Sequence, residues 1–121
     1  MNHKLSMSFL AEPTDVNFGG NVHGGMVMKW MDQAGYALAV RYSNGYAVTK
    51  FVDNIEFMNP IYIGDLVRID AEIFKTGTTS MNIKIEVSSE NLKTQSVVSN
   101  CSCIMVFVAI DADGKKRALN S

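Results

Sequence analysis

The stretch Gly24-Gly25-Met26-Val27-Met28-Lys29-Trp30-Met31-Asp32-Gln33-Ala34-Gly35-Tyr36-Ala37-Leu38-Ala39-Val40-Arg41-Tyr42 decides how the chain is read. Its apolar run is too long for a typical strand, which predicts a helix from Gly24 to about Tyr42. The apolar residues occupy nearly every direction around the axis. A surface helix carries a single stripe, so the expectation is a helix buried on all sides.

The segments around it read as strands. One runs from about Ala47 to Phe57 and stops at Asn59-Pro60. Gly64-Asp65 opens the next, Leu66 to Lys75, where Val67, Ile69, Ala71 and Ile73 alternate with Arg68, Asp70, Glu72 and Phe74. After Gly77, Ser80 to Ser88 sets Met81, Ile83, Ile85 and Val87 against Asn82, Lys84 and Glu86, and the last strand spans roughly Val97 to Ile110. Period-two alternation with turn signals between the runs predicts an antiparallel sheet with one wet and one packed face. With a short strand at about Leu5 to Leu10, the outline is α+β: a sheet wrapped around one central helix.

At 121 residues with 47% hydrophobic content, the chain holds one core, and residues 1–121 read as a single domain. Eleven basic residues against twelve acidic give a net charge of -1, which supplies no field for nucleic acid or a membrane surface. No run approaches the roughly 20 apolar residues of a membrane span, and the first dozen residues lack the pattern of a signal peptide. A soluble, cytoplasmic protein is expected. Cys101 and Cys103, two apart in a β-branched run, point to one face of a strand, an arrangement that suits buried structural thiols better than a disulfide. The two histidines, His3 and His23, lie far from Cys101, so metal-ligand spacing is absent.

One carboxylate, Asp32, sits inside the greasy helix. Burying it needs a reason: a solvated edge, an ion pair with Lys29 or Arg41, or chemistry. The segment before the helix, from Asp15 to Gly25, is glycine-rich and delivers unpaired backbone N–H groups to the helix start. There the dipole favours negative charge and a developing oxyanion can be held. Taken singly, Gly19, Gly20, Gly24 and Gly25 also fit a tight loop; their combination with Asp32 and Asn17 is what points to a site. Gly24 and Asp32 are eight residues apart, about 12 Å along a helix. One copy therefore cannot bring both to one carbonyl. Two subunits with helices side by side and antiparallel would bring the Gly24 end of one near Asp32 of the other, giving a composite site.

Pro13, Asp15, Asn17, Gly20-Asn21-Val22-His23-Gly24-Gly25, Met28, Trp30-Met31-Asp32 and Ala39 resemble the helix-entry motif of hot-dog acyl-CoA thioesterases, the bacterial YciA-type enzymes and the related eukaryotic cytosolic acyl-CoA hydrolases. Val48-Thr49, Asp53, Phe57, Pro60, Gly64-Asp65, Gly77-Thr78-Thr79-Ser80-Met81, Glu86-Val87, Phe107 to Asp111 and Gly114-Lys115 extend the resemblance over nearly the whole chain. It implies Asp32 as the catalytic carboxylate, acting as general base on water or as nucleophile. Asn17 would orient the water or thioester from the facing subunit, Gly24 and Gly25 would offer N–H to the thioester oxygen, and His23 would shape the loop. Sulfur stabilises a thioester carbonyl poorly by resonance, so a carboxylate and an oxyanion site suffice without a triad.

The resemblance also makes acyl-CoA the substrate, with no metal and no organic cofactor. The polar turn Lys75, Thr78, Thr79 and Ser80 becomes the contact for the coenzyme, although an ordinary β-turn reads the same way. Lys115, Lys116 and Arg117 either meet a phosphate or form a solvated tail. Met26, Met28 and Met31 suit an adaptable acyl pocket or plain core. A homodimer follows from the geometry, and a hexamer, a trimer of dimers, from the resemblance. The alternatives are a non-catalytic acyl-CoA sensor module, which needs an output domain, and a hot-dog dehydratase, for which His23 is the sole internal histidine.

Overall fold

Helix α1 (Gly24–Ser43) lies across a five-stranded sheet of β1 (Lys4–Leu10), β2 (Ala47–Phe57), β3 (Leu66–Thr76), β4 (Ser80–Glu90) and β5 (Val97–Ala109). This is a computed structural model, and it describes residues 3–119. Spatial order is β1-β3-β4-β5-β2, antiparallel throughout. Each strand ends within two residues of the bounds that alternation gives, because period-two burial is what a one-sided sheet imposes.

Register lines the inner face up in rows. Ile69 pairs with Val87 and Val87 with Cys101; Ala71 pairs with Ile85 and Ile85 with Cys103. All are buried, and α1 covers them by touching every strand. The fully buried Met31, Leu38, Ile83, Ile85, Met105 and Phe107 form the centre of this contact. Each such side chain contributes about 1.5–3 kcal/mol when removed from water. Gly35 sets the separation of helix and sheet. A Cβ there would stand 2.7 Å from Phe107 Cε1 and 3.0 Å from Ile85 Cδ1, so only glycine lets the helix settle onto that ring.

The helix departs from the expected all-round burial. Val27, Trp30, Met31, Ala34, Gly35, Leu38 and Ala39 are buried, whereas Lys29, Asp32, Gln33, Tyr36, Ala37 and Arg41 are exposed. One chain supplies one sheet, and a sheet covers only one stripe. The uncovered side still carries Tyr36, Ala37 and the half-buried Val40. That apolar content is why the segment looks buried on every side in the sequence. Strand β2, at the sheet edge beside this flank, likewise exposes Phe51, Ile55 and Phe57.

Within the basic cluster, Arg117 is not a solvated side chain. Residues after β5 turn at Asp111, whose Oδ1 accepts from the N–H of Asp113 and Lys115, and run back so that Arg117 N–H meets the Ala109 carbonyl. The Arg117 guanidinium donates from Nε to the Ile110 carbonyl (3.1 Å), from Nη1 to the Ser43 carbonyl (2.9 Å), and from Nη2 to Ser43 Oγ and the Tyr46 carbonyl (both 3.1 Å). It is a clamp on the C-terminus of α1, where carbonyls lack helical partners and the dipole favours a cation. Lys115 and Lys116 are exposed on the same turn.

Two substitutions test this account. Gly35→Val should lower stability by about 1–3 kcal/mol through overpacking, seen as a lower urea midpoint at unchanged m-value. Arg117→Lys keeps the charge but cannot reproduce the fork, so a loss of about 1–3 kcal/mol is expected in the same measurement.

Candidate active site

The loop before α1 is built by backbone pairing around one side chain. Val16 bridges Val22, and Asn17 N–H donates to the Asn21 carbonyl at 2.7 Å. Asn17 Oδ1 accepts from the N–H of Gly19 (2.9 Å) and Asn21 (3.2 Å), and Gly20, at φ +82°, closes the turn. These bonds use the amide oxygen of Asn17 for the loop. Among the described residues its Nδ2 donates no hydrogen bond, and the residue is exposed.

His23 occupies the N-cap position. Its N–H donates to the Asp15 carbonyl, its carbonyl accepts from Met26 and Val27, and its exposed ring makes no capping bond. The next two N–H groups, those of the exposed Gly24 and Gly25, have no partner among the described residues. Beside Gly24 a cavity of about 240 Å³ opens between Val27, Phe57, Pro60, Ile61 and Cys101. A hollow lined by these apolar side chains and by Asn59 and Asn100 thus adjoins free amide donors at the positive end of a helix dipole.

Asp32, expected to be buried, is exposed on the open flank of α1. A helix that packs on one side only leaves this position in solvent. The carboxylate is nonetheless held: Thr49 Oγ1, on β2, donates to Oδ1 at 2.6 Å. That bond fixes one oxygen and leaves Oδ2 for a reacting partner. Thr49 had a place in the sequence resemblance but no role, since seventeen residues separate it from Asp32.

The structure brings Asn17, Gly24 and Gly25 together at one end of α1, with Asp32 two turns further on. The turn bearing Lys75, Thr78, Thr79 and Ser80 joins β3 to β4, closed by the Gly77 N–H to the Ser80 carbonyl. Its start lies beside Tyr42, near the other end of the helix. That is about 15 Å beyond Asp32 along the axis, since each helical residue rises about 1.5 Å. Met31 is core, and Met26 and Met28 are half-buried.

The family model of the thioesterase superfamily matches residues 19–96, the span that holds Gly24, Gly25, Asp32 and Thr49. The chain belongs to the thioesterase superfamily. Among curated members it is 35% identical over 119 residues to the acyl-CoA thioester hydrolase YciA of Salmonella typhimurium, covering 96% of this chain and 90% of that protein. It is 37% identical over 108 residues to the protein VdlD of Helicobacter pylori, covering 89% of this chain; there it spans 62% of the relative's length. Among solved structures, the hexameric thioesterase y2039 of Yersinia pestis superposes with a TM-score of 0.89 at 35% identity, over 95% of this chain and 93% of that one. HI0827, a hexameric broad-specificity acyl-coenzyme A thioesterase, gives 0.88 at 31%, over 95% and 80%. These likenesses make the sheet and helix a hot-dog fold.

Both thiols of this family member are buried and free, on the inner face of β5. Burial pushes Cys103 up to about 12, with the neighbouring Cys101 adding to it, and burial also raises Cys101. Since the thiolate is the reactive form, the native protein should show no fast-reacting thiol toward a disulfide reagent at pH 8. Both cysteines should titrate once guanidinium unfolds the chain. A rapidly reacting thiol in the native state would contradict the burial described.

Proposed function

We propose that this chain is an acyl-CoA thioesterase that converts an acyl-CoA and water into a free carboxylic acid and CoA. Asp32 carries the reading: an accessible carboxylate, oriented by Thr49 on the open side of the helix, in a chain of the thioesterase superfamily. The thioester carbonyl oxygen sits at the N–H of Gly24 and Gly25. As the carbonyl carbon becomes tetrahedral, charge grows on that oxygen, and the fixed donors stabilise it without having to reorient.

Asp32 Oδ2 either takes a proton from water as the water oxygen attacks, or attacks the carbon itself and breaks the C–S bond, expelling CoA as its thiolate and leaving an anhydride that water opens to the carboxylic acid and a protonated Asp32, whose proton passes to the thiolate. In the first course the tetrahedral intermediate collapses by breaking the C–S bond. The proton held on Asp32 passes to sulfur, and carboxylic acid and CoA leave. The Asn17 Nδ2 donor orients the water or the thioester. The reaction consumes water alone, with no metal or organic cofactor assigned.

The site is shared. About 12 Å of helix separates Gly24 from Asp32 within one chain, so the glycine end faces Asp32 of the partner subunit in an antiparallel pair of helices. The uncovered apolar side of α1 and the exposed Phe51, Ile55 and Phe57 of edge strand β2 support such a dimer. An open edge of this length otherwise invites nonspecific pairing. We further propose a hexamer, on the likeness to the hexameric y2039 and HI0827, and a cytoplasmic location. The CoA phosphates and nucleotide are assigned to Lys75, Thr78, Thr79 and Ser80, an exposed to half-buried polar turn. The acyl group enters the cavity beside Gly24.

The deciding experiment is steady-state CoA release across an acyl-CoA panel from acetyl to palmitoyl. Asp32→Asn should lower kcat at least about 1,000-fold, within the range for loss of an essential base or nucleophile, with CoA binding retained. Thr49→Ala should cost about 10–100-fold in kcat and Thr49→Ser should recover most of it, since the hydroxyl alone makes the bond. Normal turnover in Asp32→Asn would refute the assignment, and binding without turnover in the wild type would favour a sensor.

A further inference from the structure

The contact beneath the middle of α1 stands one helical turn from the Asp32 carboxylate. Thr49, whose hydroxyl holds that carboxylate, is the antiparallel partner of Phe107. The Phe107 ring in turn lies under Gly35, three residues beyond Asp32 on the same helix. Asp32, Thr49, Phe107 and Gly35 therefore close a circuit of a hydrogen bond, a strand pairing, a ring-on-backbone contact and a helical turn. Cross-strand partners have Cβ atoms about 4.5–5.5 Å apart, so the height of the helix over the ring also sets its height over the threonine.

The circuit has little slack. Aspartate and threonine are short side chains, so a 2.6 Å bond between them needs the two backbones close together. Glycine is among the poorest residues for a helix interior, yet one stands where a Cβ would come 2.7 Å from Phe107 Cε1 and 3.0 Å from its Cζ. The nearer approach is about 0.7 Å short of ordinary contact. Ile85 Cδ1, also 3.0 Å away, ends a flexible side chain and can turn aside, whereas the Phe107 ring is rigid and fully buried. A side chain at this position therefore lifts the helix. A rise of that size is enough to take the Thr49–Asp32 bond from 2.6 Å beyond the roughly 3.0 Å at which the O–H···O range ends.

Resting on the reading of Asp32 as the reacting carboxylate, we infer that Gly35 and Phe107 are positioning residues for catalysis: the ring-on-glycine contact sets α1 at the height from which the Thr49 hydroxyl reaches Asp32. Held through Oδ1, the carboxylate keeps Oδ2 in one direction. Released, it turns about its terminal torsion, which is broad and roughly two-fold, and the productive orientation becomes one of several. A misplacement of about 1 Å costs on the order of 100-fold in rate. Neither residue touches the substrate to exert that effect.

The test is kcat for CoA release from the best acyl-CoA of the panel, measured on the full-length protein well below its unfolding midpoint. Gly35→Ala should lower kcat about 10–100-fold, as Thr49→Ala does, with KM within about twofold. In a Thr49→Ala background the same substitution should make less than about a twofold further difference, because the bond it breaks is already gone. Gly35→Ala combined with Phe107→Leu, which removes Cε1 and Cζ, should recover most of the loss. Should Gly35→Ala fail to fold, Phe107→Leu alone serves. Without the ring beneath it the helix has no set height, so kcat should fall about tenfold, and again only where the Thr49 hydroxyl is present. Wild-type kcat in the folded single variant, or an equal loss with and without the Thr49 hydroxyl, would make the contact core packing and overturn the inference. Normal turnover in Asp32→Asn would remove the functional reading, and this inference with it.

Discussion

A rigid helix acts as a spacer, and the chemistry of this chain is organised by its length. Seating α1 on the ring of Phe107, at the one position where Gly35 permits it, fixes the rod against the sheet. From that contact the amide end, the carboxylate and the turn between β3 and β4 take their places along one axis. No side-chain adjustment closes the 12 Å or so between Gly24 and Asp32. On the proposed reading, a hydrolytic site can then arise only by symmetry, and the open flank of α1 and the open edge of β2 belong to catalysis as much as to assembly.

The fold was largely legible because its signals are local. Alternation in β3 and β4 depends on neighbours two residues away, and the breaks at Asn59-Pro60, Gly64-Asp65 and Gly77 are chemical properties of those residues. The apolar Gly24–Tyr42 run gave the helix for the same reason. What it could not give was which side would be covered. Tyr36, Ala37 and Val40 look like core from the sequence, and their setting depends on a surface that one chain does not supply.

The candidate site was legible in the residues that compose it and less so in its connections. Asn17, the glycines and Asp32 stand out because buried charge and glycine clusters are costly anywhere else, although Asp32 proved to be exposed. The Thr49 hydroxyl on Asp32 and the Arg117 fork on Ser43 join residues 17 and 74 positions apart. Nothing local marks either pair. A threonine in a strand and an arginine near a chain end are both ordinary, and only the folded arrangement turns one into an orienting group and the other into a helix clamp.

The placement of the two cysteines bears on how such an enzyme would live with its own product. Each turnover of a CoA thioester liberates a thiol, and CoA disulfides form readily wherever that thiol meets an oxidant. Disulfide exchange requires a protein thiolate in reach of the attacked sulfur. Cys101 and Cys103 sit under α1 as neutral thiols, Cys101 at the wall of the Gly24 cavity. Shielded in this way, they would, on the proposed reading, keep the protein out of mixed-disulfide traffic with the CoA that hydrolysis liberates, so that rising product and oxidative stress leave it chemically unmarked.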